Sequence, residues 1–315
     1  MSDQKEKTLY KSEMKKQKLK NIPIAPKPTE AENQLKEITT IIAEQYSFEK
    51  IISIGSEINK IQKESCFAYV DDTNVSPNLL NSYFLLLIPS QLERCNDVLI
   101  QQRLEEQLKP IASVIILIHR MDEFNTALQN GSTFFKSVYK KGIILYDRNE
   151  EPFVPPGEGA PIRNRITKRE KLWHKWHQLA TDFIKGANFF IAEENNELAV
   201  FMLHQGLQHC YSAMIRVLTG YRTNSNNLRR LIKLIDLALP VSSFVVPNKS
   251  TPEDLRLMSI ILKGYGDARY SDGFIVTKQD VSLIFGKVSV IIDNANKVCL
   301  QRITDLKDGK IKYSV

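Results

Sequence analysis

The sequence contains no apolar run long enough to cross a membrane. Its longest apolar stretches, residues 84–89 and 114–118, are short, whereas a spanning helix needs about 20 apolar residues. No apolar core follows the charged residues near the N-terminus, so we expect no signal peptide. These absences exclude an integral membrane protein and predict a cytoplasmic protein that has no membrane partner.

Cysteine is scarce, and its spacing shows no pairing. Four cysteines separated by long stretches are typical of reduced thiols rather than of a disulfide framework. Walker and dinucleotide fingerprints are absent, as is any serine–histidine–acid or cysteine–histidine arrangement. We therefore expect no cofactor. The cysteines are Cys66, Cys95, Cys210 and Cys299.

Histidine is also rare, and four of the five histidines lie between residues 174 and 209. His174 and His177 are one helical turn apart, a spacing that metal ligands can have. No carboxylate or cysteine motif accompanies them, and Trp173 and Trp176 stand beside them, which favours packing. The sequence therefore predicts no metal site.

Positive charge is concentrated at the start of the chain. The formal net charge is +7, and residues 1–30 carry eight lysines against four acidic residues. This composition is typical of a flexible, solvated basic tail, with weak attraction to nucleic acid or to an anionic membrane as the alternative.

The first half of the chain has the alternating pattern of an α/β domain, which we assign to residues 31–147. The strand at 51–54 is expected to stop at Gly55-Ser56. The strand at 82–89 is continuously apolar, as is typical of a strand buried on both faces. The expected helices are 31–47, 91–108 and 121–130, and the expected strands are 51–54, 82–89, 112–119 and 142–147.

Residues 148–162 hold four prolines and two glycines and are interpreted as a linker. From residue 163 the apolar spacing is that of long helices. Thr251 as N-cap and Pro252 at the first position form one helix start. We predict a helical bundle over 163–307 and a short tail at 308–315. The expected helices are 165–188, 195–219, 226–238, 252–269 and 277–305.

Gly55-Ser56 follows the first predicted strand, and Ser82-Tyr83-Phe84 begins the next one. In this arrangement the first domain resembles the small nucleotidyltransferases of the DNA polymerase β class, in which Gly-Ser ends a strand and opens a helix. In that family the next strand carries Asp-x-Asp, whose carboxylates hold two Mg²⁺ ions about 3.5–4 Å apart. This sequence lacks both acids, and the strand at 114–118 has no acid either.

Asp71 and Asp72 do not replace the missing acids, since adjacent residues of an extended chain point to opposite sides. The resemblance therefore implies a degenerate nucleotidyltransferase-like domain without catalysis. Such a domain acts as a scaffold or regulator, with Gly55 and Ser56 as its vestigial turn.

The second half carries two motifs about 50 residues apart. The first is Leu198–Gln205 continuing to Tyr221-Arg222, and the second is Asp267-Ala268-Arg269-Tyr270. Over residues 165–305 these motifs resemble the HEPN family, and the two domains in this order resemble nucleotidyltransferase–HEPN fusion proteins. The resemblance implies an all-helical bundle, a homodimer through that bundle and, for many members, a metal-independent ribonuclease that uses an arginine and a histidine.

Arg222 matches the arginine of that family, but no histidine follows it. Asn226 stands in the turn instead, and an amide cannot act as a general base. Binding without cleavage is therefore our leading interpretation, and no catalytic residue is assigned. The alternative is a ribonuclease of the toxin or defence type, in which Arg222 acts with His204 or His209. His209 lies about 20 Å from Arg222 along a helix, so the partner protomer would supply it.

Five basic residues and no acid occur between His209 and Ile235. They are expected to line a face for phosphates, and nearby tyrosines are expected to stack bases. One alternative is a solvated surface in which Arg269 pairs with Asp267 or Asp272, and another is a protein-interaction module without nucleic acid. The predicted nucleotide- or RNA-binding residues are Arg216, Tyr221, Arg222, Asn226, Arg229, Arg230, Arg269 and Tyr270.

Overall fold

The computed structural model describes residues 29–58, 62–67, 81–239 and 251–310. The predicted basic tail up to residue 28, the Asp71-Asp72 pair and the residues after 310 lie outside the described ranges. In the part of the chain that is described, no helix is long and apolar enough to cross a membrane.

An N-terminal α/β region contains a mixed sheet between helices. Its strands run in the order β2-β1-β3-β4, and β5 pairs with the first half of β1. β1 and β3 are antiparallel, whereas β3 and β4 are parallel. The elements are α1 (Glu30–Gln45), β1 (Phe48–Ile58), β2 (Gln62–Ser65), β3 (Ser82–Pro89), α2 (Asp97–Leu108), β4 (Ser113–Ile118), α3 (Met121–Gln129), α4 (Thr133–Lys141) and β5 (Ile143–Asp147).

Both faces of the sheet are covered. On one face, Leu85 and Leu87 of β3 pack with Ile38 of α1 and Leu104 of α2. On the other face, Leu86 packs in a cluster that includes residues of α3 and α4. Every residue of β3 is buried, which confirms the prediction from its continuous apolar run.

The predicted end of the first strand at Gly55-Ser56 is wrong. β1 continues through both residues to Ile58, and Ser56 pairs with Tyr83 on one side and Glu64 on the other. The pairing with β3 shifts register between Ser53 and Gly55. A glycine in a strand often accommodates such an irregularity, so Gly55 marks a local shift within the strand instead of a turn that opens a helix.

A bundle of helices follows from residue 162. α5 packs along α6, and α10 packs against both. The predicted single helix over 252–269 is interrupted after Lys263, at Gly264, where a Cβ would be 2.8 Å from the Val200 side chain of α6. The helices are α5 (Ile162–Ala192), α6 (Asn196–Thr219), α7 (Leu228–Ala238), α8 (Pro252–Lys263), the single turn α9 (Asp267–Tyr270) and α10 (Lys278–Lys307).

The two parts of the molecule share one apolar core. The cluster on the α3/α4 side of the sheet continues without a break into the bundle, and joins Phe134 of α4 to Trp173 of α5 and Leu218 of α6. Arg169 of α5 also bridges the parts, since it donates to the Val217 carbonyl (3.1 Å) and to the Thr133 hydroxyl (2.6 Å).

The segment predicted as a linker has no helix or strand from residue 148 to 161. It lies against α3 instead of extending freely into solvent. The Val154 amide donates to the Asn125 side chain (3.0 Å), and the Gly157 amide donates to the Leu128 carbonyl (3.1 Å).

Candidate nucleic-acid interface

A cleft of about 1090 Å³ lies between the α/β region and the bundle. One wall is the polar side of α2, which includes Gln101 and Glu105, and the floor is the outer edge of β4. The opposite wall consists of the chain after α6, the start of α7 and one side of α8. The cleft therefore brings part of the predicted basic face against the sheet.

The segment 220–227, between α6 and α7, forms the rim of this wall. It begins at Gly220, whose φ of 84° reverses the chain. The segment then returns beside α6, because the Gln208 side chain donates to Asn226 Oδ1 at 2.9 Å. Asn227 ends it as the N-cap of α7 and accepts from the Arg230 amide.

Arg222 and Arg229 are the exposed cations of the wall opposite α2. Among the described residues neither forms an ion pair. Arg216, in the last turn of α6, lies outside the cleft lining, and its pKa is lowered by burial and by the nearby charge of Arg222. Positive charge from Arg216 and Arg222 thus accumulates where α6 ends and the 220–227 segment begins.

Arg230 has a different environment from Arg222 and Arg229. Its guanidinium donates to the Glu105 carboxylate and to the Ile116 carbonyl, both in the α/β region. Glu105 in turn accepts from the Ile116 amide at 2.8 Å. The side chains are only 11% (Arg230) and 24% (Glu105) exposed, so this pair connects the two parts of the molecule and places Arg230 in a structural contact.

Tyr221 lines the cleft, but its ring is engaged within the protein. It packs against Phe134 at 4.5 Å between centroids, and its hydroxyl lies 3.2 Å from His119 Nε2. Burial raises the pKa of Tyr221 to about 12. Tyr221 therefore forms a contact between the α/β region and the bundle, and its ring is not free to stack on bases as predicted.

Arg269 and Tyr270 lie outside the cleft lining, at α9. Arg269 Nε donates to the Tyr265 carbonyl (2.7 Å), and its guanidinium lies 4.0 Å from the Tyr265 ring centroid and 4.8 Å from that of Tyr270. The alternative ion pair with Asp267 or Asp272 does not form, since the guanidinium stacks on these rings. Tyr270 is 80% exposed.

His204 lies in the interior beneath this corner. Its Nδ1 is 2.8 Å from the Ile261 carbonyl, and because a carbonyl only accepts, Nδ1 carries the proton. Nε2 is buried and has no hydrogen-bond partner among the described residues. Burial lowers the pKa of His204, the carbonyls of Ile261 and Asn226 oppose this effect, and the charge of Arg269 adds to the lowering. His204 is therefore neutral near pH 7.

The other histidines of the bundle pack against aromatic rings. His209 stacks between Trp176 (5.1 Å) and Phe183 (5.3 Å), on the side that faces α5. His177 packs beside the buried Trp173. In the part of the chain that the structure describes, no three side chains of the ligand-forming types are grouped to hold a metal ion.

The α2 wall and the β4 edge were not identified from the sequence. In the sequence, Glu105 is one of several acids on an amphipathic helix, and the spacing of these acids does not distinguish it from a solvated residue. The one signal in the sequence was indirect. A run of five basic residues without an acid indicates that acidic partners come from another part of the chain. Gly55 and Ser56, the predicted vestigial turn, do not line the cleft.

Comparison with known proteins identifies the helical part. Residues 173–298, from α5 into α10, match the family model of the HEPN domain. No curated protein matches the chain. The match does not extend to the α/β region that precedes the bundle. The chain thus contains a HEPN domain, which follows an α/β region with a mixed sheet.

Proposed function

We propose that this protein binds single-stranded RNA through phosphate contacts in the cleft, without cleaving it. The observation that carries the proposal is the pair Arg222 and Arg229, which are exposed on the cleft wall without an ion-pair partner among the described residues. HEPN domains are often associated with RNA, and guanidinium groups bind phosphate oxygens in a fixed, bidentate geometry.

The charge around Arg222 supports a polyanionic ligand. Burial and, to a lesser extent, the nearby charge of Arg222 lower the pKa of Arg216, so the free protein holds two positive charges close together. A phosphate between or beside them removes that repulsion and releases the counterions of the RNA. A free nucleotide provides the same chemistry with fewer phosphates, and an acidic protein is the remaining alternative.

The α/β region is proposed to act as a scaffold that forms the second wall of the cleft. The floor strand β4 carries only apolar residues and one serine, and β3 carries no acid. Two-metal phosphoryl or nucleotidyl transfer needs several convergent carboxylates, and the described residues of the sheet do not provide them.

The proposal is tested by fluorescence anisotropy with a labelled single-stranded RNA of mixed sequence. Arg222→Ala and Arg229→Ala are each expected to weaken binding roughly tenfold, since each removes a charged hydrogen-bond donor. Each is also expected to reduce the slope of log affinity against log salt by about 0.7. Arg103→Ala is the matched control, because Arg103 is exposed on α2 outside the cleft.

Equal affinity for the Arg222, Arg229 and Arg103 variants would reject the proposed site. Binding of a mononucleotide as tight as that of RNA would assign the cleft to a nucleotide. If neither ligand binds, the remaining hypothesis is an interaction module that recognises an acidic protein.

Ribonuclease activity is the second candidate, and one observation favours it. The 220–227 segment returns along α6, so Asn226 lies beside the neutral His204 within one protomer. In the tautomer set by the Ile261 carbonyl, His204 Nε2 carries a lone pair, as a general base requires, although this nitrogen is buried. RNA cut by the wild type in the absence of metal, and left intact by Arg222→Ala and by His204→Gln, would establish this function instead.

A homodimer through the bundle remains part of the proposal, because it is implied by the HEPN resemblance. Light scattering after size-exclusion chromatography measures the mass directly. A mass near that of one 36.1 kDa chain would exclude the dimer.

A further inference from the structure

The outer edge of β4 carries backbone groups that face the cleft. In a parallel pair, alternate residues direct both their N–H and C=O groups towards the neighbouring strand. The Ser113 amide donates to Asn81 and the His119 amide donates to Leu87, so the odd-numbered residues of β4 face β3. Val114, Ile116 and Ile118 therefore face outward.

These three residues differ in their partners. The outward groups of Ile116 are both occupied, its amide by Glu105 and its carbonyl by Arg230. Among the described residues, no side chain or backbone group pairs with the outward groups of Val114 or Ile118. Val114 is buried, whereas Ile118 is half-buried and lines the cleft. Ile118 thus presents an unpaired donor and acceptor to the cavity.

An added peptide strand does not suit this edge. Strand addition would require the N–H and C=O groups of Ile116 as well as those of Ile118, and Arg230 and Glu105 already hold the former. A flat ligand that needs only one residue's donor and acceptor fits better. The Watson–Crick edge of a nucleobase has this form, since it presents a hydrogen-bond donor next to an acceptor.

Ile118 and Arg222 both line the cleft, and the residues next to them in the chain are in contact. His119 follows Ile118, Tyr221 precedes Arg222, and the His119 ring and the Tyr221 hydroxyl are 3.2 Å apart. A nucleotide with its base at the strand edge can therefore extend its phosphate towards the wall that carries the exposed arginine. The α2 wall adds the side chain of Gln101, which can donate and accept.

We propose that the backbone N–H and C=O groups of Ile118 receive the edge of an RNA base whose phosphate is held by Arg222. This inference rests on the proposed function and adds a base-binding position to it. Because the four bases all have adjacent donors and acceptors, the position selects for the presence of a base rather than for one sequence.

Hydrogen exchange, read residue by residue after fragmentation, tests the position without altering the fold. The Ile118 amide is expected to exchange rapidly in the free protein and to slow by about tenfold or more when a short single-stranded RNA is bound. The Ile116 amide, already bonded to Glu105, is the internal control and is expected to remain unchanged. The matched ligand is an abasic oligonucleotide with the same phosphates, which is expected to bind without protecting Ile118.

Binding that depends on Arg222 but leaves the Ile118 amide unprotected would overturn the inference and retain the proposed function. Equal protection by the abasic ligand would also overturn it, because the base would then be irrelevant. If Arg222→Ala and Arg229→Ala leave the affinity for both ligands unchanged, the proposed function itself fails.

Discussion

Buried and partly buried imidazoles give single residues of this protein an influence on the pH dependence of its stability. Burial lowers the pKa of His119, His177, His204 and His209. In each case the unfolded chain binds a proton more readily than the folded one. The free energy of unfolding that these residues contribute is therefore complete above their unfolded pKa of about 6.5 and is lost as the pH falls below it.

We predict that the free energy of unfolding decreases as the pH falls from about 7.5 to about 5.5. In His204→Gln this decrease is expected to be smaller. Glutamine can still donate to the Ile261 carbonyl but does not titrate. Urea unfolding of both proteins at the two pH values is the measurement. His174→Gln is the matched control, because His174 is exposed. The same decrease in wild type and His204→Gln would contradict the assignment.

Gly220 is a position at which the surrounding structure leaves no room for a larger side chain. Its φ is 84°, and a Cβ there would be 2.1 Å from the Thr133 hydroxyl. We predict that Gly220→Ala destabilises the fold by about 1–3 kcal/mol, from strain and from this overlap. Gly309→Ala is the control, since Gly309 also has a positive φ but nothing within 4 Å of its Cβ. Equal losses in thermal or urea unfolding would show that the Thr133 contact is unimportant.

At the level of elements, helical period in the sequence was a reliable guide, and three of the four predicted strands were correct to within one residue, whereas the ends of β1 were wrong. The apolar spacing after residue 163 predicted five helices, and the structure has them within a few residues, apart from the break at Gly264. The strand β1 exceeded its prediction because its continuation depends on two neighbouring strands that local sequence does not specify. The return of the 220–227 segment along α6 depends likewise on a contact between Gln208 and Asn226.

For the candidate site too, local sequence patterns predicted one part, and contacts between residues far apart in the chain determined the rest. The sequence identified the exposed arginines, because a basic run without acids is visible locally. It did not separate Arg222 and Arg229 from Arg230, whose partner Glu105 is 125 residues away in the chain. Nor did it distinguish Tyr221, whose ring packs on Phe134, from a tyrosine that is free to stack on bases. Exposure of a polar residue is a property of the assembled surface, so it could not be derived from the run itself.

The Arg230–Glu105 pair covers part of the outer edge of β4, because the two side chains bond to the carbonyl and the amide of Ile116. We predict that Arg230→Ala lowers the free energy of unfolding by about 2–4 kcal/mol, because Glu105 is left largely buried without its partner. It also exposes the Ile116 carbonyl, and an uncovered strand edge promotes aggregation.

Lys185→Ala is the matched control for that prediction. It removes one exposed ion pair with Asp182 and is expected to change stability by less than about 1 kcal/mol. Urea unfolding and light scattering on heating measure both effects. Similar stability and similar aggregation of the two variants would contradict the role assigned to Arg230.

At the scale of the whole molecule, the two regions are expected to unfold together. Both tryptophans, Trp173 and Trp176, lie in α5. Leu86 lies in β3 of the α/β region and belongs to the same apolar cluster as Trp173. A fluorescence signal from the bundle therefore reports on a substitution made in the sheet.

We predict that Leu86→Ala destabilises the protein by about 2–5 kcal/mol and shifts the tryptophan unfolding midpoint as far as it shifts the circular dichroism midpoint. Val290→Ala, on an exposed position of α10, is the control and is expected to shift neither. A tryptophan midpoint that stays in place while an earlier transition appears in circular dichroism would mean that the regions unfold separately.

The continuous core and the Arg230–Glu105 pair fix the distance between the two walls of the cleft. A ligand that enters it meets an opening already at its final width, so no hinge has to close and little chain entropy is lost. Encounter should then proceed at a rate set by diffusion and by attraction to the arginines, with differences among ligands expressed in their residence times.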